Sequence, residues 1–336
     1  MKILVTGGGG YIGSFMTKRL LDDGFEVVVA DSFERGYKEV VDKRAKLLIG
    51  NLLDKEFVKN IFLSDDIEAV INFAGYISMA ESVENPGIYF ENNVFGALNL
   101  LEEMRKREIK KFIFSSTAGV YGNPKSLPIP EDHPKNPTNP YGESKLMVEK
   151  ILLWYKPFIN FVSLRYFNAA GASFDATLGE NHKPETHIIP NAINAALTNS
   201  EFTLYGDDYN TPDGTCIRDY IHVVDLVDSH ALALKKLQTE NGGQAFGGQG
   251  FFYNVGTGKG YSNKEVFEMV KKISGIDFKV NISGRRSGDA EKLIADPTKI
   301  KNELMFIPKY SDLETLVKTA WQWHSKISNT KYQISK

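Results

Sequence analysis

Short apolar runs that end in small or polar residues recur through the first half of the chain, with helical patterns between them. They are KILVT (2–6), EVVVA leading to Asp31, KLLIG (46–50), AVINFAG (69–75), KFIFSS (111–116) and FVSLRYF (161–167). Apolar spacing predicts a helix through Ile12, Phe15, Met16 and Leu20, and others around 54–63, 92–107 and 141–155. Strands apolar on nearly every residue must be covered on both faces, as in a parallel sheet between helical layers. The predicted fold class is therefore α/β, a doubly wound parallel sheet, with ligands at the carboxyl ends of its strands. Those ends read GGGG, FAGY, SSTAG and FNAAG; each alone is an ordinary turn, but together they suggest a binding floor.

Beyond about residue 170 the rhythm loosens and prolines increase. We read residues 1–168 as one domain and 169–330 as a smaller C-terminal substrate-binding domain. Segments near 225–256, including DLVDSHALALKKL and FFYNVG, are expected to return to the first. GGQAFGGQG (242–250) opens no helix and is read as a flexible loop, and the terminal SNTKYQISK as frayed. A net charge of −2 gives no basic surplus for nucleic acid or an anionic membrane. No run approaches the ~18 apolar residues of a membrane span, and no signal peptide is read. The single cysteine, Cys216, excludes an intrachain disulfide and fits a cytoplasmic setting. No metal is expected.

VTGGGGYIGS joins the first strand to the first helix and spaces Gly7, Gly10 and Gly13 as in the dinucleotide fingerprint. Glycines allow a tight turn and close approach to a pyrophosphate, which the helix N-terminus then faces. Asp31 closes the second strand, where a carboxylate accepts both adenosine ribose hydroxyls and repels a 2′-phosphate. The expected cofactor is therefore NAD on a Rossmann sheet. Arg35 is read as a solvated loop residue.

In NPYGESK, Asn139 suits a helix cap and Pro140 the first helical position. Tyr141 and Lys145 then stand one turn apart on one face. A surface pair is the ordinary reading; the functional one is a tyrosinate supported by the lysine and the cofactor's nicotinamide charge. Half-ionising a tyrosine of pKa about 10 near pH 7 takes roughly 4 kcal/mol. One positive charge at ~4 Å in an effective dielectric near 20 supplies about that much. Such a base would take a proton from a sugar hydroxyl as hydride leaves the same carbon. Ser115, Ser116 and Thr117 offer hydroxyls at a strand end beside it.

With FAGYISMAESVENP, FSSTAGVYG, YGESKLMVEKIL, LRYFNAAGA, YGDDYNTPDGTCIRDYIHVVDL and YNVGTGKGYSNKEV, the chain resembles the extended short-chain dehydrogenase/reductase family. Within it, the resemblance is to the UDP-glucose 4-epimerases, from about residue 2 to about 325. It implies Tyr141 as base, Lys145 as its partner and Thr117 in place of the usual serine. It implies NAD contacts at Gly7, Gly10, Tyr11, Ile12, Gly13, Asp31, Asn51, Leu52, Phe73, Ala74, Gly75, Asn92, Ser115, Tyr141, Lys145, Tyr166 and Phe167. A UDP-sugar would meet Thr117, Tyr141, Asn168, His187, Ile188, Tyr205, Arg218, Arg286, Asp289 and Leu293. The two arginines suit a pyrophosphate. A homodimer through the helices at 92–107 and 141–155 is expected.

Three departures bear on this reading. Asn51 stands where an aspartate commonly meets adenine. Ile77 replaces a lysine to the cofactor in some relatives, so weaker NAD retention is expected. Leu293 falls where a tyrosine narrows the sugar pocket, so room for a 2-acetamido group is expected. Ala118 and Gly119 lack the acid that a 4,6-dehydratase or decarboxylase needs after the strand-end hydroxyls. UDP-pentose epimerisation fits the residues too. A non-catalytic NAD-binding scaffold would have no use for Tyr141, Lys145 and Thr117 together.

Overall fold

A computed structural model of the protein describes residues 1–239, 248–286 and 289–334, with side chains as far as Ser328. Six parallel strands follow the apolar runs: β1 (Lys2–Thr6), β2 (Glu26–Asp31), β3 (Lys46–Ile49), β4 (Ala69–Asn72), β5 (Lys111–Thr117) and β6 (Asn160–Tyr166). The remaining strands are β7 (Asn168–Ala170), β8 (Phe202–Tyr205), β9 (Ile217–His222), β10 (Gly250–Val255), β11 (Gly260–Ser262), β12 (Val280–Ser283) and β13 (Lys292–Leu293). The main sheet has the order β10-β6-β5-β4-β1-β2-β3, and every pairing in it is parallel. All its carboxyl ends therefore share one edge, where Thr6, Asp31, Asn72, Thr117 and Tyr166 end their strands.

Alternation along each strand sends side chains to two layers. Ile3 and Val5 join a core with helices Tyr11–Asp22 and Val223–Thr239, while Leu4 joins a second with Lys55–Ser64, Gly96–Lys106 and Pro140–Tyr155. Several helices start where side chains satisfy their free N–H groups. Asp54 accepts from Glu56 and Phe57, Asn139 accepts from Gly142 at 2.9 Å, and Ser262 with Glu265 closes a capping box.

The helix expected at 92–107 begins earlier, at Pro86, and changes pitch: Pro86–Tyr89 is α, Phe90–Phe95 is a π-turn and Gly96–Lys106 is α. Apolar spacing does not register one extra residue in a turn. A second assembly joins β7, β9, β11 and β13, with β8 and β12 paired separately. A third core packs beside it from helices Ile188–Thr198, Asn263–Ser274 and Leu313–Ile334. Of the two loop readings, residues 242–247 and 335–336 lie outside the described residues. The helix Leu313–Ile334 runs through most of the stretch expected to fray.

Candidate active site

At the carboxyl edge a cleft of about 650 Å³ opens between the glycine turn and the strand β13. Gly7 has φ +74, and a Cβ there would stand 2.6 Å from the backbone nitrogen of Ala74. A Cβ on Gly13 would meet the Gly7 carbonyl at 2.2 Å. These two glycines are required by the turn itself. Gly10 faces the cleft and begins the Tyr11–Asp22 helix with no side-chain cap and no acid in the first turn. Its free N–H groups and positive dipole end suit an anion. The Asp31 carboxylate accepts from Gly9 N–H and Phe33 N–H, each at 2.8 Å, which fixes it at the cleft with lone pairs remaining for hydroxyls. This cradle fits the dinucleotide that the fingerprint implies.

Arg35 is not a free loop residue. It holds Glu81 through two hydrogen bonds of 2.7 Å and lies 4.0 Å over the Tyr76 ring. Its charge is thus committed to a carboxylate, which agrees with Asp31 in disfavouring a 2′-phosphate. Asn51 donates to Glu34 at 2.9 Å and accepts from Leu53 N–H at 2.9 Å, and Asn99 holds the Leu52 carbonyl at 2.8 Å. Both Asn51 and Leu52 line the cleft beside Phe73, Ala74, Gly75 and Ile77.

Thr117, Tyr141 and Lys145 all line this cleft. Burial pushes the Tyr141 phenol above its usual value, and a hydrogen bond with Thr117 opposes that rise. Lys145 is pushed down to about 8 by burial. Its ammonium donates to the Ser115 carbonyl at 2.9 Å and sits 5.0 Å over the Phe114 ring. Burial thus favours the phenol form at Tyr141, while the Lys145 ammonium is turned to the Ser115 carbonyl.

Tyr166 and Ser115 pair through their hydroxyls at the same edge, so both side chains are already partnered. Tyr11 likewise donates its hydroxyl to the Gly171 carbonyl at 2.6 Å, leaving its ring and backbone for any cofactor contact. Sequence reasoning passed over Asn93. Its amide accepts from Tyr76 N–H at 2.8 Å and donates to the Tyr76 carbonyl at 3.1 Å and to Ser144 at 3.0 Å. It therefore ties the loop after β4 to the helix carrying Tyr141 and Lys145, while Asn92 next to it lines the cleft. The paired asparagines in FENNVF were the available signal.

On the opposite side the cleft is lined by Phe167, Asn168, His187, Arg218, Asp289 and Leu293. Three expected sugar contacts do not line it. Ile188 faces a separate small hollow with Asn168 and Glu180, and Tyr205 and Arg286 stack on each other at 4.6 Å. Asp289 links this rim to the cleft: Arg218 and Arg286 each reach it at 3.5 Å. His187 pairs with the buried Glu180. Burial alone would lower the imidazole, but the Glu180 carboxylate outweighs it and raises it to about 9.

Residues 3–256 match the model of the NAD dependent epimerase/dehydratase family. UDP-glucose 4-epimerase of Lactobacillus helveticus is 45% identical over 96% of this chain and 97% of its own. A crystal structure of a UDP-glucose 4-epimerase superposes with a TM-score of 0.93 at 44% identity, covering 98% of this chain and 99% of that one. The Brucella ovis UDP-glucose 4-epimerase, solved in complex with NAD, gives 0.90 at 41% identity over 96% and 97% of the two chains. The UDP-Glc/GlcNAc 4-epimerase of Campylobacter jejuni gives 0.83 at 41% identity over 97% and 99%.

Proposed function

The chain belongs to the NAD-dependent epimerase/dehydratase family, and from that membership we propose that it is a UDP-glucose 4-epimerase, interconverting UDP-galactose and UDP-glucose by inversion at C4. The observation that best supports this is the convergence of Thr117, Tyr141 and Lys145 in one cleft with an uncapped glycine turn on one side and Arg218 on the other.

Gly7, Gly10, Gly13 and Asp31 would hold NAD, with Phe73, Ala74, Asn92 and the Tyr166-Phe167 pair along its length. Bound NAD supplies the hydride acceptor at C4 and the donor for the return, so no net redox change occurs. Tyr141 takes the proton of the C4 hydroxyl at Oη and later gives it back, and Thr117 orients that hydroxyl. Lys145 would hold the nicotinamide ribose and add positive charge beside the phenol. Arg218, with Arg286 from the rim, neutralises the pyrophosphate. The 4-keto sugar then turns about that anchor and presents its other face.

Leu293 lines the cleft opposite Arg218 of β9 and, like Phe167, packs on the small core of Val120, Tyr121 and Leu146, where a leucine leaves more room than an aromatic ring. We read this as acceptance of the N-acetylated pair as well. Among the described residues no helix is long and apolar enough to cross a membrane, and we place the protein in the cytoplasm. The homodimer we infer would use the helices at 86–106 and 140–155, which expose Phe95 at 55% and Trp154 at 83%. Proton NMR of the purified protein with UDP-galactose, first without and then with added NAD, tests the activity. UDP-glucose should form in one or both; no conversion in either would refute the reading.

A further inference from the structure

Between β7 and the Ile188–Thr198 helix, residues 171–187 carry little regular structure beyond one bridge, Ala172 to Gly179. A loop of this length needs something to hold it, and its second half concentrates charge. The Glu180 carboxylate is 5% exposed and that of Glu185 10%. The Nδ1 atoms of His182 and His187 both approach Glu180 Oε1, the first at 3.1 Å and the second in a still closer contact. Glu185 Oε1 lies 3.9 Å from each of the same two nitrogens. One donor atom from each residue falls within 4.8 Å of every other.

We propose that Glu180, His182, Glu185 and His187 form a binding site for a divalent transition-metal ion, with Zn²⁺ the best match to the donor set. Tetrahedral zinc with bonds of ~2.0–2.1 Å places its donors ~3.3 Å apart, and the distances of 3.1 and 3.9 Å bracket that value. The contact between Glu180 and His187 has to open, and Glu185 has to move toward both imidazoles by about half an ångström. A simple ion pair would account for Glu180 and His187, but not for a second imidazole and a second carboxylate brought within 4.8 Å of them. Two imidazoles select against Mg²⁺ and Ca²⁺, which take oxygen ligands.

The surroundings orient the donors. Glu185 Oε1 accepts from the N–H groups of Thr186 at 2.8 Å and His187 at 2.9 Å, and Trp323 fixes the Glu180 backbone carbonyl at 2.8 Å. His182 Nδ1 makes no well-aligned hydrogen bond despite its nearness to Glu180. The His182 ring meets Tyr11 edge-on at 6.5 Å, and Tyr11 in turn holds Gly171. An ion here would fasten both ends of the loop to the start of the glycine-turn helix.

The test uses the full chain, treated with a chelator and desalted, then titrated with Zn²⁺ by calorimetry and thermal unfolding. One ion per chain should bind, raise the Tm and resist desalting, and Co²⁺ should give the strong visible absorption of four-coordinate cobalt. The paired substitution His182→Asn with Glu185→Gln should weaken binding by more than the ~100-fold that loss of an outer-shell partner brings. Absence of saturable binding overturns the proposal, as does stoichiometric binding that survives the paired substitution. If that variant does not fold, the cobalt spectrum of the unaltered protein decides, and a weak six-coordinate spectrum overturns the proposal.

Discussion

In the sheet floor, beside the helix that carries Tyr141 and Lys145, Arg165 and Glu149 pair at 2.7 Å with their side chains 2% and 3% exposed. Ser116 and Ser163 also donate to Glu149, while Arg165 donates to Tyr121, whose hydroxyl donates to Asn254. At the substrate rim, by contrast, two arginines share Asp289 at 3.5 Å each, and Arg286 is 47% exposed. The first region locks β5, β6, β10 and the catalytic helix into one arrangement; the second leaves charge available at longer range. A reaction that fixes the base and hydride partner but must let the sugar turn between two transfers requires that asymmetry.

The sharpest way to break the comparison is to unlock the floor. Glu149→Ala leaves the Arg165 guanidinium buried and unpaired, and should destabilise the protein by ~3–5 kcal/mol. Denaturant unfolding that shows less than ~1 kcal/mol would mean the network does not hold the floor. Next in size is Tyr141→Phe, which should lower kcat by about 10³-fold while UDP-sugar binding, read by calorimetry, stays near its original strength. Comparable loss of binding would move Tyr141 from chemistry to recognition.

The floor also buries a charge, and pH exposes it. Lys145 has a folded pKa of about 8, below its unfolded value of 10.5. Between these values the unfolded chain binds more protons, so stability rises with pH across this window. Without cofactor, the unaltered protein should therefore gain up to roughly 3 kcal/mol relative to Lys145→Met from pH 7 to 10.5. Parallel pH curves for the two proteins would contradict the burial of a charged lysine.

Smaller effects belong to the rim. Arg218→Lys should raise KM for UDP-galactose roughly tenfold with little change in kcat, since a bidentate grip is lost from both ground and transition states. An equal fall in kcat would show the rim to be as rigidly organised as the floor. Leu293→Tyr should cut turnover of UDP-N-acetylgalactosamine only a few-fold more than that of UDP-galactose. Equal effects on both sugars would remove Leu293 from sugar selection.

The same contrast explains what could be read in advance. Strands of the main sheet are legible because burial on both faces writes itself as unbroken apolar runs, and the glycine turn because its neighbours admit no Cβ. Tyr141 and Lys145 are legible as a local spacing on one helix. Asn93, Glu149 and Arg165 are not, because their partners lie on other elements far along the chain. Tyr205 and Arg286 are legible only through motif resemblance; the fold stacks them on each other at the rim, where Arg286 also reaches Asp289. Arg35 looked free because its partner Glu81 is distant in sequence.

The π-turn at Phe90–Phe95 has a consequence for how this chain tolerates change in length. One extra residue in the turn lets Asn92 meet the cleft and Asn93 meet the loop and Ser144 from neighbouring positions, although successive residues of an α-helix point about 100° apart. A π-turn takes up its extra residue locally, so the α-helical stretches on either side keep the register they would have without it. Leu100, Leu101 and Met104, all fully buried, would therefore stay on the sheet if one residue were removed from the turn. What such a deletion would take away is the simultaneous reach of Asn92 to the cleft and Asn93 to Ser144, so the extra residue serves the site and not the packing of the helix.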